Sequence, residues 1–161
     1  IGSDKKRRIE EEVHLRQLLE MYGEEEQLGE DELWRCPRCD ERVPGFKKLD
    51  FYRLPPVFLI HLKRFQFTRW SRERIDTPVN FPARMDLNSL VIDRAPQVSA
   101  INYEYELTAI VKHMGIPDGG HYVAFAKYGS VWFEFNDGIV TPQTEAEVLQ
   151  EMKGAYVLFY T

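Results

Sequence analysis

Apolar residues recur along this chain with two different periods, and the change between them organises it. Ile9, Val13, Leu15, Leu18, Leu19 and Tyr22 fall on one helical stripe. That spacing predicts a helix followed by an acidic turn over residues 4–28, with Gly23 as the C-terminal stop. The acidic run at 24–26 reads as solvated surface. From Lys48 onward the pattern is that of strands. An apolar run over 58–67, reached through Pro55-Pro56, predicts a buried strand. Residues 68–78 are polar and arginine-rich, which predicts a hairpin or loop leading to Val79-Asn80-Phe81-Pro82. Residues 84–100 contain Pro96 and little periodicity, and are expected to be irregular.

The last 60 or so residues are the most regular. Alternation over 103–112 predicts a strand, broken by Gly115, Pro117 and Gly119-Gly120. Residues 121–128 predict a second strand, Gly129-Ser130 a turn and 131–136 a third strand. Thr144-Glu-Ala-Glu147 has capping-box form and opens a short helix through Met152. Residues 155–160 close the chain as a strand. If Gly129-Ser130 is a two-residue turn, residues 128 and 131 pair. His121 then opposes Gly138, and Asn136 opposes Val123. Residues two apart share a face, so His121 and Asn136 become diagonal neighbours on one face, with Asp137 on the other.

A histidine beside a carboxamide at a sheet end matches the base and orienter of a Cys-His-Asn centre. The amide oxygen would accept from one ring N–H, leaving the other nitrogen to face a nucleophile. A strand-start histidine near a turn asparagine with no chemistry would look the same in the pattern. His113 falls at a strand end with no evident partner. His14 and His61 read as a helix-surface and a strand residue.

Composition narrows the possibilities. The chain has 161 residues, 43% hydrophobic, 13% aromatic and 29% charged. That is enough for one domain, or a large part of one, with a sizeable core, and it argues against wholesale disorder. No apolar run approaches the roughly 18 residues a bilayer-spanning helix needs. The chain begins at Ile1, and its basic opening lacks the apolar core of a secretion signal, so a piece of a longer protein is expected. The net charge of −5 is unevenly spread: −6 over residues 1–33, +7 over 34–74 and −6 over 75–161. The basic stretch fits either a solvated face or an acidic partner, and the overall acidity argues against nucleic acid.

Only two cysteines are present, Cys36 and Cys39, in a Cys-Pro-Arg-Cys turn predicted between two short strands. That spacing is half of a tetrahedral zinc site, with two further ligands required from elsewhere. A redox pair or two inert thiols are the alternatives. Redox Cys-x-x-Cys motifs open a helix beside a βαβ unit, which the surrounding pattern does not predict. Two thiols and no disulfide framework suggest a reducing, intracellular setting, cytoplasm or nucleus.

Four segments together resemble the C-terminal half of the ubiquitin-specific proteases, the papain-like deubiquitinases. They are Trp34-Arg-Cys-Pro-Arg-Cys39; Leu54-Pro-Pro-Val-Phe-Leu-Ile-His-Leu-Lys-Arg-Phe65; Gly119-Gly-His-Tyr-Val-Ala-Phe125 leading to Trp132-Phe-Glu-Phe-Asn-Asp137; and Ala155-Tyr-Val-Leu-Phe-Tyr160. The resemblance covers about residues 13–161. It implies an α+β, papain-like fold of fingers, palm and thumb. Residues 1–33 would be a helical lead-in, 34–50 a zinc-ribbon knuckle and 51–161 the palm. It also implies that His121 is the general base, Asn136 its orienter and Asp137 an auxiliary polar residue. By the same resemblance Cys36 and Cys39 hold half of a structural Zn2+ site. The resemblance also implies that residues 113–120 form a loop over the ubiquitin tail, with Gly119, Gly120 and Tyr122 binding substrate.

The family's nucleophile sits in an N-terminal cysteine box that these residues do not contain. The expected partners are therefore ubiquitin, ubiquitinated proteins and the half of the domain that carries that box. The expected function is thiol-dependent hydrolysis after the C-terminal glycine of ubiquitin, this chain alone being inactive. The alternative is a catalytically dead ubiquitin-binding module of the same fold.

Overall fold

The computed structural model describes residues 13–92, 102–116 and 119–161. At its centre is a sheet of seven strands: Phe58–His61 (β1), Arg84–Asp86 (β2), Glu104–Ile116 (β3), Gly119–Tyr128 (β4), Val131–Asn136 (β5), Ile139–Gln143 (β6) and Ala155–Tyr160 (β7). Their order is β6-β5-β4-β3-β7-β1, with β2 paired to the start of β3, and every pairing is antiparallel. Three successive two-residue connections from β3 to β6 make a meander. β7 then returns to the other side of β3, which puts the longest strand in the middle.

Alternation explains which side chains enter the core. On β4, Val123 and Phe125 are buried; on β5, Trp132 is; and Ile110, Leu158 and Tyr160 are sealed from solvent. Full burial of each such side chain contributes on the order of 1.5–3 kcal/mol. Burial also pushes the Tyr160 hydroxyl far above the ordinary phenol value; it donates to the Pro82 carbonyl.

The helix Leu15–Tyr22 (α1) buries Leu15 and Leu19 in the same core and ends at Gly23 as predicted. It is shorter than the apolar stripe suggested. Val13 and His14 instead pair in parallel with Val79 and Asn80, a tertiary contact that overrides local helical spacing. Ile9 lies outside the described residues. The second helix, Glu145–Leu149 (α2), is closed by the expected capping box: Thr144 Oγ1 accepts from the Glu147 N–H, and Glu147 Oε2 accepts from the Thr144 N–H. It stops before Met152, and a 3-10 turn over Glu151–Lys153 carries the chain into β7.

Three expectations about strands need correction. The apolar run 58–67 is two strands, because Arg64 turns inward and Phe65–Phe67 leaves the sheet to pair with Arg72–Arg74. Residues 84–100 are not all irregular: Arg84–Asp86 joins the sheet and Asn88–Leu90 forms a 3-10 turn, while 93–101 lie outside the described residues. Strand β3 does not break at Gly115. It continues to Ile116, with Gly115 at φ +103° paired to Gly120 and Ile116 paired to Gly119. The positive φ is what glycine supplies there.

Candidate active site

The turn at Gly129-Ser130 has the predicted two residues: Tyr128 pairs with Val131, and the register runs unbroken to Ala124 opposite Phe135. It brings His121, near the start of β4, to Asn136 at the end of β5. His121 Nε2 lies 2.6 Å from Asn136 Oδ1. An amide oxygen can only accept, so Nε2 carries the proton and Nδ1 keeps the basic lone pair. The imidazole is 42% exposed, open enough to meet an incoming group. Across β3 it stands opposite Met114.

Asp137 departs from strict alternation. It adopts φ +52°, in a two-residue turn with Gly138 that joins β5 to β6, since Asn136 pairs with Ile139. Leaving the strand brings its carboxylate round to 4.0 Å from His121 Nε2, instead of the opposite face. Its side chain is 83% exposed, so any charge interaction with the imidazole is screened by solvent.

On the opposite face of β4, Tyr122 packs against His113, ring centroids 4.8 Å apart. His113 is therefore not a strand-end residue without partners. It is buried at 5% exposure, between Tyr122 and Phe65 (5.1 Å), and Arg74 Nη1 lies 3.5 Å from its Nδ1. Burial, and secondarily the Arg74 charge, hold its pKa below the ordinary histidine value. Sequence reasoning missed both His113 and Arg74. The signal was the Gly115–Gly120 pairing, which sets 113 opposite 122.

Gly119 and Gly120 differ in the space around them. A Cβ on Gly119 would meet nothing within 4 Å, whereas one on Gly120 would overlap His113 Nε2 and lie 2.5 Å from the Met114 carbonyl.

Cys36 and Cys39 lie away from the sheet, in the turn between Trp34–Arg35 and Arg42–Val43. The Cys36 N–H donates to the Glu41 carbonyl, and the Asp40 N–H to the Cys36 carbonyl. Asp40, at φ +59°, makes a bidentate pair with Arg35 at 2.7 Å. Backbone N–H groups of Cys39 and Arg38, then the Cys39 thiol, point at Cys36 Sγ and lower its pKa. Both thiols are free, and the turn holds the two cysteines three residues apart in sequence. Among the described residues, no third His, Cys, Asp or Glu joins them.

A meander sheet that sets an imidazole against a carboxamide has the architecture of a papain-like cysteine peptidase. The family model described as "Ubiquitin carboxyl-terminal hydrolase" matches residues 26–160, and the chain belongs to that family, among the ubiquitin-specific proteases. It is 42% identical over 158 residues to ubiquitin carboxyl-terminal hydrolase 9 of Arabidopsis thaliana, covering 96% of this chain and 17% of that protein. It is 39% identical over 151 residues to ubiquitin carboxyl-terminal hydrolase 15 of Homo sapiens, covering 92% of this chain and 15% of the relative. Among solved structures it superposes on a chain of the SAGA Ubp8/Sgf11/Sus1/Sgf73 DUB module bound to ubiquitin aldehyde. There the TM-score is 0.78 and the identity 32%, covering 95% of this chain and 34% of that one. The chain therefore spans about a sixth of the curated relatives and a third of the structural neighbour.

Proposed function

We propose that this chain supplies the base side of a deubiquitinating cysteine peptidase, with the nucleophilic cysteine on sequence outside these residues or on a companion chain. The observation that carries the reading is the 2.6 Å contact of His121 Nε2 with Asn136 Oδ1, which leaves Nδ1 as the base. Nδ1 takes the thiol proton, and the thiolate attacks the carbonyl of the C-terminal glycine of ubiquitin. The imidazolium then returns the proton to the departing lysine amine. Water, deprotonated by the same nitrogen, releases ubiquitin from the thioester. Asn136 holds the ring in one tautomer and stabilises the imidazolium, and Asp137 adds a screened negative charge nearby. The Gly119-Gly120 backbone, with Tyr122 beside it, borders the path of the ubiquitin tail. The ubiquitin-bound state of the structural neighbour supports that partner.

Cys36 and Cys39 have a different role in this reading. Their turn fits half of a structural zinc site, because Sγ receives backbone N–H donors and both thiols are free. They would hold the ion together with ligands outside the described residues. A bound zinc would staple the knuckle and take no part in the peptidase chemistry.

The test is turnover of ubiquitin–aminomethylcoumarin by the full-length protein. His121→Ala is expected to lower kcat/KM by at least about 10²-fold, and Asn136→Ala by a smaller but large factor. A His121→Ala enzyme at the wild-type rate contradicts the assignment. An inactive wild type that still binds ubiquitin would identify the dead module instead.

A further inference from the structure

We propose that Arg74 and His113 position the β3–β4 hairpin that carries His121, Arg74 through the Gly115 carbonyl and His113 through the backbone of Gly120. The inference rests on the peptidase reading for its consequence in catalysis, but not for the contacts themselves. Arg74 Nη1 donates to the Gly115 oxygen at 2.9 Å, and Gly115 is held at φ +103°. The same nitrogen lies 3.5 Å from His113 Nδ1. The His113 ring in turn abuts Gly120, the residue immediately before His121, closely enough that any side chain there would overlap it.

Neither group is free to drift. Phe65 meets His113 edge-on, interplanar angle 84°, while Tyr122 and Tyr156 flank it at 4.8 and 6.4 Å. Arg74 is 16% exposed, and Asp76 lies 2.7 Å from its Nε as an ion pair rather than an aligned hydrogen bond. Arg74 also stands at the end of a hairpin, Phe65–Phe67 with Arg72–Arg74, whose base is anchored: Arg64, just before it, donates from Nε to the Ala155 carbonyl of β7 at 2.6 Å and from Nη1 to the Thr77 carbonyl at 2.8 Å. A cation on one anchored hairpin thus grips the carbonyl of another, on the face of the sheet opposite His121. Such a brace fixes the approach of the backbone that leads into the base, where a small misplacement costs rate heavily.

The test uses the full-length protein with Arg74→Met, Arg74→Lys and His113→Ala. Two quantities are read: amide hydrogen exchange in peptides covering 113–121, and hydrolysis of ubiquitin–aminomethylcoumarin. Arg74→Met and His113→Ala are expected to speed exchange of the hairpin about tenfold, leaving the β5–β6 hairpin unchanged, and to lower kcat by a similar factor. Arg74→Lys, whose ammonium can still reach the Gly115 carbonyl, is expected to recover most of both. Unchanged exchange overturns the proposal. So does faster exchange throughout the chain that lysine does not repair, and so does a loosened hairpin with undiminished turnover. A locally loosened hairpin in a protein whose wild type does not cleave ubiquitin would uphold the brace and refute the peptidase reading.

Discussion

Replacing Arg64 with methionine removes a cation that four separate carbonyls share. Its Nε donates to Ala155 at 2.6 Å, Nη1 to Ile75 at 3.1 Å and Thr77 at 2.8 Å, and Nη2 to Met152 at 2.6 Å. The residue is only 4% exposed, and among the described residues its hydrogen bonds all go to backbone carbonyls. Burial, then the neighbouring Arg74, lower its pKa from the ordinary arginine value, yet the carbonyl cage suits only the charged form. Each hydrogen bond from a charged donor is worth about 1.5–3 kcal/mol net, and some of that returns when the cation is no longer desolvated. Water can also reach the three part-buried carbonyls. The remainder is about 3–5 kcal/mol, comparable to breaking a buried ion pair.

That loss is a large share of the 5–15 kcal/mol of a typical domain. Urea unfolding followed by tryptophan fluorescence reads it, because Trp132 is sealed in the core whereas Trp34 and Trp70 are already exposed. Arg64→Lys is expected to fall between wild type and Arg64→Met, since one ammonium cannot span all four acceptors. An Arg64→Met loss below about 1 kcal/mol at constant m would mean that the four carbonyls do without the guanidinium.

Other outcomes follow from the same geometry. Gly120→Ala is expected to lower kcat/KM for ubiquitin–aminomethylcoumarin by about 10²-fold, because the Met114 carbonyl, being backbone, cannot swing aside. Gly119→Ala, which meets nothing, should leave unfolding free energy within about 0.5 kcal/mol of wild type. His113 has a folded pKa below its unfolded value of about 6.5, so the unfolded chain takes up the proton first on acidification. Its contribution to stability is complete above that value and is lost as pH falls toward the folded pKa. Unfolding free energies measured between pH 7 and 5 should therefore fall more steeply for wild type than for His113→Phe. Metal analysis of the full-length protein should find stoichiometric zinc that Cys39→Ser abolishes, and a metal-free wild type would remove the half-site reading.

The parts of this structure legible in the sequence are those set by short-range geometry. A two-residue turn at Gly129-Ser130 forces one register, so the meeting of His121 with Asn136 followed from counting along two strands. The Thr144 capping box is equally local. What escaped depended on distant contacts. Arg64 splits an apolar run because its acceptors are up to 91 residues away in sequence. Val13 and His14 leave the helical stripe for a parallel partner near Val79. Gly115 reads as a breaker, yet its φ of +103° lets β3 continue to Ile116, and that extension buries His113. Asp137 escaped for a subtler reason: a left-handed residue cancels the alternation that parity arguments assume.

Reaction of the full-length protein with ubiquitin bearing a C-terminal electrophile, read by intact and peptide mass, decides whether His121 is the base for a cysteine outside these residues. A base-side role predicts one adduct on a cysteine other than Cys36 and Cys39, formed far more slowly in His121→Ala. An adduct on Cys36 or Cys39, or one formed equally fast without the His121 imidazole, would contradict it.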